Sequence, residues 1–214
     1  MIASDKYQIE VKLLAITGLL SGMQRKPQAV KNSDCEELIE YSGRLCWDTT
    51  EKLGINPNRI QEWINIGHES VIEHASATFY IRASRVLTHE LVRHRLASYS
   101  QRSQRYVSES VPKYIKPPEI KSGKQNAEKI FIEAMNNAWS AYNQLISLGV
   151  KREIARYVLP NACETQIVMT MNFRELRHFI KVRTSSRALP EMRAVAGEVR
   201  RIMKEEAPRV FADL

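Results

Sequence analysis

Between Arg93 and Tyr106 the chain reads RHRLASYSQRSQRY. Arg93, His94, Arg95, Arg102 and Arg105 put five cationic or titratable side chains into thirteen positions, with no carboxylate among them. Ser98, Ser100, Gln101, Ser103 and Gln104 lie between them. Guanidinium groups grip phosphate and carboxylate in a bidentate way, and hydroxyls and amides add neutral donors. The stretch therefore reads as an anion site, which a nucleic acid, a nucleotide or a polyanionic cofactor could fill. Arg156, Arg174 and Arg183 sit in mostly apolar surroundings (IARYVLP, MNFREL and FIKVRT), where a charge is usually paired or aimed at an anion.

Other chemistries are excluded by spacing. His68 and His74 in GHESVIEH are six apart, whereas a helical HExxH zinc site needs four. Neither GxGxxG nor GxxxxGK[ST] occurs, so a nucleotide would be held by side chains rather than by a glycine-rich backbone cradle. Cys35, Cys46 and Cys163 are too few and too scattered for a disulfide framework, contain no CxxC pair, and fit a reducing cytoplasm. Cys163 has no His or Lys beside it and reads as a buried thiol. Ser103 lacks an adjacent base and reads as a hydrogen-bond donor. A net charge of +8 favours anionic partners. The basic residues form no continuous tract, however, and no helix-turn-helix or RNA-binding signature accompanies them, which argues against nucleic acid. The first twenty residues are interrupted by Asp5, Lys6, Glu10 and Lys12, so neither a signal peptide nor a membrane span is expected.

These residues need elements to position them. YQIEVKLLAI (7–16) and roughly Ala75–Arg82 alternate as strands, and CETQIVMTMN is apolar enough for another. Asp34 is a cap for CEELIEYSGRLCW, with Leu38, Ile39, Ser42 and Leu45 at helical spacing. Asn56 and Pro57 open a helix that Gly67 stops. Ser84 caps SRVLTHELVRHR, with Val86, Leu87, Leu91 and His94 on one face, after which the basic stretch runs out as a loop. A polar stretch spans Gly22 to Ser33. Residues 107–124, with three prolines and Gly123, form a long irregular loop. Helices follow from about Asn126 to Leu148, over REIARYVLP, over NFRELRHFIKVR and over PEMRAVAGEVRRIMKEEAP. No repeat or linker divides the chain, so residues 1–214 read as one domain.

The motif is more than a generic cationic loop. RHRLASYSQRS, continued to Arg105, closely resembles the signature of the flavin-dependent thymidylate synthases. GHESVIEHASATFYI upstream and ARYVLP and NFRELRHFIKVR downstream resemble further motifs of that family, in order, over about residues 38 to 206. The resemblance implies an α+β subunit, helices flanking a small, largely antiparallel sheet, assembled as a homotetramer with active sites at the subunit interfaces. It implies formation of dTMP from dUMP, with methylenetetrahydrofolate giving the carbon, NADPH the electrons, and bound FAD carrying the hydride. No cysteine nucleophile is implied.

Residue by residue, the resemblance assigns Arg93, His94 and Arg95 to FAD, together with Ser70, Cys46, Gln101, Asn172, Arg174 and His178. It assigns Glu90, Arg93, Gln101, Arg102, Ser103, Gln104, Arg105 and Arg156 to dUMP, the arginines meeting the 5′-phosphate. Arg183 matches the residue that activates uracil, and His68 a position beside flavin and folate; with Ser103 they are the catalytic candidates. The family usually carries Gln at the position of Glu90 and often Asn at that of Ser100. A carboxylate at a phosphate site is repulsive unless an arginine pairs with it or it turns to the sugar.

Overall fold

The computed structural model describes residues 7–18, 34–121 and 126–214. The polar stretch 22–33, Gly123 and the Asp34 side chain lie outside the described residues. Four antiparallel strands form one open sheet in the order β1-β2-β4-β3: β1 (Glu10–Ile16), β2 (Ser76–Ser84), β3 (Ala97–Gln101) and β4 (Glu164–Asn172). Strand alternation sorts the side chains by face. Ala77, Phe79, Ile81 and Ala83 of β2 face the core beside Ile167, Met169 and Met171 of β4, with Phe79 opposite Met169 and Ile81 opposite Ile167. The helices α7 (Phe173–Arg183) and α8 (Pro190–Glu206) belong to the same core through Phe173, Leu176, Phe179, Met192, Val195 and Val199. The result is the expected α+β arrangement.

The segment 97–101 is a correction, being a strand rather than a loop. In ASYSQ only Ala97 and Tyr99 offer apolar surface to the core, and Ser98 and Ser100 are exposed, so the sequence carries a weak signal. The pairing comes from β4, some seventy residues on, with Tyr99 opposite Met169.

Two helix assignments also shift. In α1 (Asp34–Leu45) the inward face carries Cys35, Glu36, Ile39, Glu40, Gly43 and Arg44, whereas Leu45 is 59% exposed. Charged residues turn inward because partners await them at the other end of the chain. Glu40 accepts from Arg44 Nε (2.7 Å), from Arg209 (2.6 Å) and from the backbone N–H of Gly54 (3.0 Å). Glu36 accepts from the backbone N–H of Arg209 at 2.6 Å. Arg209 begins the second residue of α9 (Pro208–Phe211), and beyond it Asp213 forms a forked pair with buried Arg177. The second helix, α2 (Arg59–Asn65), starts after Asn58 rather than Asn56, because the Asn56 side chain accepts from the Asn58 N–H (2.9 Å) in a preceding turn.

Where α1 crosses α2, Gly43 is required by space. A Cβ at that position would lie 2.4 Å from ring carbons of Trp63. Gly43→Ala is expected to cost about 1–3 kcal/mol through overpacking, measured by urea unfolding.

Burial pushes the Glu36 carboxyl up to about 7, against the pull of the Arg209 and Val210 N–H groups and the Arg209 charge. A carboxyl raised in the folded state binds its proton more tightly there. Stability is therefore fully supported below pH 4.5 and falls as pH rises through about 7. Glu36→Gln is expected to flatten that part of the stability–pH curve, by up to roughly 3 kcal/mol at pH 8. Denaturant titrations at pH 5 and pH 8 check it.

The long loop after β3 is anchored. Glu109, 4% exposed, donates its N–H to the Tyr142 hydroxyl, and its carbonyl accepts from Trp139 Nε1 at 2.8 Å, both on α5 (Ala127–Ser147). Tyr114 bridges to Cys163, and α4 (Pro118–Lys121) is a single turn. Among the described residues no helix is long and apolar enough to cross a membrane.

Candidate active site

The third helix, α3 (Arg85–Leu91), is capped by Ser84, whose Oγ accepts from the Leu87 N–H (3.1 Å). At its far end the N–H groups of Val92, Arg93 and His94 close a turn onto Thr88, Glu90 and Leu91. The Tyr99 hydroxyl locks this turn by donating to the carbonyls of Leu91 (2.8 Å) and His94 (3.0 Å). The RHR triplet is thereby split: His94 points inward, 8% exposed, and Arg93 and Arg95 point out. Among the described residues neither exposed guanidinium has an ion-pair partner.

His94 is the middle of a hydrogen-bonded chain. Its Nδ1 lies 3.0 Å from Glu175 Oε1, and its Nε2 accepts from Arg183 Nε at 2.9 Å. Arg183 also donates to Glu90 Oε2 (3.1 Å) and to the Glu90 carbonyl (3.4 Å). The His94 ring meets Phe179 edge-on at 5.2 Å and His178 at 6.0 Å. Burial holds His94 below the ordinary histidine range, Glu175 pulling it up and Arg183 pushing it down. Glu90, anomalous as a phosphate neighbour, is thus carried by an arginine.

At the other end of β3, Gln101 is fixed by the hydroxyls of Thr88 (3.1 Å) and Thr165 (3.2 Å). Arg102 pairs with Glu109, and Arg85 donates to the Arg102 carbonyl at 3.2 Å. Ser103 Oγ accepts from the Arg105 N–H, and Gln104 is buried. Arg105 pairs with Glu153 of α6 (Arg152–Ala155) at 2.9 Å, and Arg156 donates to the Glu153 carbonyl at 3.2 Å. Arg102, Ser103, Gln104, Arg105 and Arg156 therefore cluster here, while Glu90, Arg93 and Arg183 cluster at the start of β3. The strand between them spans roughly 17 Å.

A third group lies on the first turns of α7. Asn172 caps it, accepting from the Glu175 N–H at 2.9 Å. Arg174 pairs with Glu73 (2.6 Å) and Glu69 (3.4 Å) of the 3-10 turn Glu69–His74, and His178 is exposed four residues further on. Ser70 is exposed on that turn. His68 precedes it, half-buried and edge-on to Trp63 at 6.3 Å. Cys46 is exposed at the end of α1, which packs on the same turn.

The partners were missed from sequence: Glu175, Tyr99, Glu109, Glu153 and Arg85. Only Glu175 had a signal, since Asn172-x-x-Glu175 is the spacing of a capping box. Its side chain goes instead to His94. Cys163 is buried as expected, and burial pushes its thiol up to about 11.

The sequence model described as thymidylate synthase complementing protein matches residues 29–209. The chain is 42% identical to a flavin-dependent thymidylate synthase of Clostridium tetani, covering 82% of this chain and 80% of that protein. Identity to the protein of the same name from Geobacter sulfurreducens is also 42%, over 84% and 82% of the two chains. That from Mycobacterium tuberculosis is 39% identical over 98% and 91%. A family match over most of the length, with ordered arginine motifs folded into three groups around β3 and α7, makes the chain a member of the flavin-dependent thymidylate synthase family of enzymes.

Proposed function

We propose that this protein forms dTMP from dUMP, using methylenetetrahydrofolate as carbon donor, NADPH as reductant and FAD as hydride carrier. The observation that carries the reading is the setting of Arg183. A guanidinium has five N–H donors; His94 and Glu90 engage three, which leaves two to donate to the uracil carbonyl oxygens that flank N3. A fixed cation there stabilises enolate-like charge and makes C5 nucleophilic. The buried Cys163 thiol supports a route without a cysteine adduct.

The 5′-phosphate is assigned to Arg102, Ser103, Gln104, Arg105 and Arg156. The Arg105–Glu153 pair is half exposed, and such pairs are worth under about 1 kcal/mol. A dianionic phosphate displaces Glu153 at little cost. FAD, when bound, supplies hydride transfer. The donor set fits it: Arg93 and Arg95 are exposed without partners among the described residues, and Ser70, Arg174 and His178 are exposed nearby on the fold. As the family resemblance implies, each site is completed by a second copy of the chain, in a homotetramer. Exposed apolar residues beside the motif, Leu96 at 73% and Tyr106 at 69%, suit such a contact. All these partners belong in the cytoplasm.

Purified protein is expected to be yellow and to release tritium from C5 of labelled dUMP only with folate and NADPH. A colourless protein without release overturns the reading. The shared site has its own test. Arg105→Ala and Arg183→Ala, each impaired alone, are expected to regain activity when co-assembled, because some mixed sites carry both intact halves.

A further inference from the structure

The Glu175–His94–Arg183 chain has a chemical direction. Arg183 Nε carries a hydrogen and can only donate, so His94 Nε2, 2.9 Å away, must be the bare nitrogen. The ring proton is then on Nδ1 and donates to Glu175 Oε1 at 3.0 Å. A neutral imidazole takes the tautomer that its partners dictate. Glu175, 8% exposed in the first turn of α7, is the acceptor that dictates it. A carboxylate there is also favoured by the helix N-terminus.

We propose that Glu175 is a positioning residue for Arg183, acting through the ring of His94. It rests on the reading of Arg183 as the uracil-activating group. With the proton moved to Nε2, two N–H groups would face each other and Arg183 would lose the bond that sets the rotation of its fork. Glu90 would remain its one side-chain partner, 40% exposed and on the outer side.

Apart from Arg183 itself, no other group among the described residues bonds the ring and can set the tautomer. From β3, Tyr99 is committed to two backbone carbonyls. From α3, Glu90 bonds Arg183 rather than the ring. From α7, His178 meets His94 as a ring contact at 6.0 Å, beyond hydrogen-bond reach. Phe179 offers only an edge. Protonation of His94 would disrupt the bond to Arg183 in the same way, so turnover acquires an acid limb. Glu175 pulls the His94 pKa upward. Removing its charge but not its oxygen moves that limb to lower pH.

The test uses the full-length holoenzyme labelled with 15N-histidine. Nitrogen shifts are expected to show His94 as Nδ1–H in the parent and in Glu175→Gln, whose amide oxygen still accepts, but as Nε2–H or a mixture in Glu175→Ala. Turnover number is expected to fall about 10- to 100-fold in Glu175→Ala with KM for dUMP little changed. Glu175→Gln is expected to restore turnover at neutral pH while its acid limb moves to lower pH. An Nε2–H tautomer in the parent, or unchanged tautomer and turnover in Glu175→Ala, overturns the proposal. Should Glu175→Ala fail to fold, an unmoved acid limb in Glu175→Gln overturns it. If Arg183→Ala itself keeps full turnover, the role of Arg183 fails, and the tautomer measurement still decides whether Glu175 governs His94.

Discussion

Arg183→Ala is expected to keep its flavin and lose about 10²–10³ in turnover, the loss seen when one well-placed transition-state donor is removed. The argument starts from the anchoring of the side chain. Arg183 is the last residue of α7, and its Nε and both terminal nitrogens are already tied to His94 and Glu90. It enters the reaction preorganised, so its stabilisation is not offset by ordering a flexible chain. A contact that strengthens as charge develops lowers kcat and kcat/KM together. KM should move for a separate reason: Glu90 is left without its cation and repels the nucleotide. Glu90→Gln in the Arg183→Ala background is expected to recover KM but not kcat. Arg183→Lys is expected to rescue poorly, since an ammonium cannot donate in a planar fork to ring, carboxylate and uracil at once. Stopped-turnover tritium release, with flavin absorbance as the control, measures all three variants. Near-normal turnover in Arg183→Ala removes the residue from the mechanism.

Glu40→Ala is expected to cost about 3–5 kcal/mol of stability, the range for breaking a buried charge network by removing one member. Glu40 is 1% exposed and Arg44 4%, so water cannot replace the lost carboxylate. Two guanidinium groups and the Gly54 N–H lose their acceptor together. Burial raises the Glu40 carboxyl, but hydrogen bonds from Arg209, Arg44 and Gly54 outweigh it and hold the group below the usual carboxylate range. Its contribution is therefore present above the unfolded value and is lost as pH falls through the folded one. That is opposite in sign to Glu36, one turn away. Urea unfolding with an unchanged m-value and a lowered midpoint checks the prediction; an unfolding free energy within about 0.5 kcal/mol of the parent refutes it.

The longer helices and the strands β1, β2 and β4 could be read because hydrophobic periodicity is a local signal, whereas the single turns α4 and α9 could not. Ser84 as a cap and Leu87 and Leu91 as an inward face of α3 stand as read, though Val86 is 38% exposed and the helix ends at Leu91, leaving buried His94 in the turn that follows. What could not be read has one cause, partners distant in sequence. β3 needs β4 to become a strand. The inward side of α1 contains Glu36 and Glu40 because Arg209 meets them. The candidate arginines were legible as a set, and Glu90 with them, but Glu109 and Glu153, the carboxylates that hold Arg102 and Arg105, stand in no motif. Identity could be read and partners could not, since sequence order places Arg105, Arg174 and Arg183 far from the carboxylates that hold them.

The bond between Glu40 and Arg209 closes over 169 residues. At 5–20 residues per second a ribosome takes roughly 10–30 s to make that interval. Throughout it, the inward carboxylates of α1 have no cation from α9, and Arg177 lacks Asp213. The nascent chain therefore holds its sheet-forming segments before its first helix can be clamped in place, so maturation is completed only after residues 208–213 clear the exit tunnel.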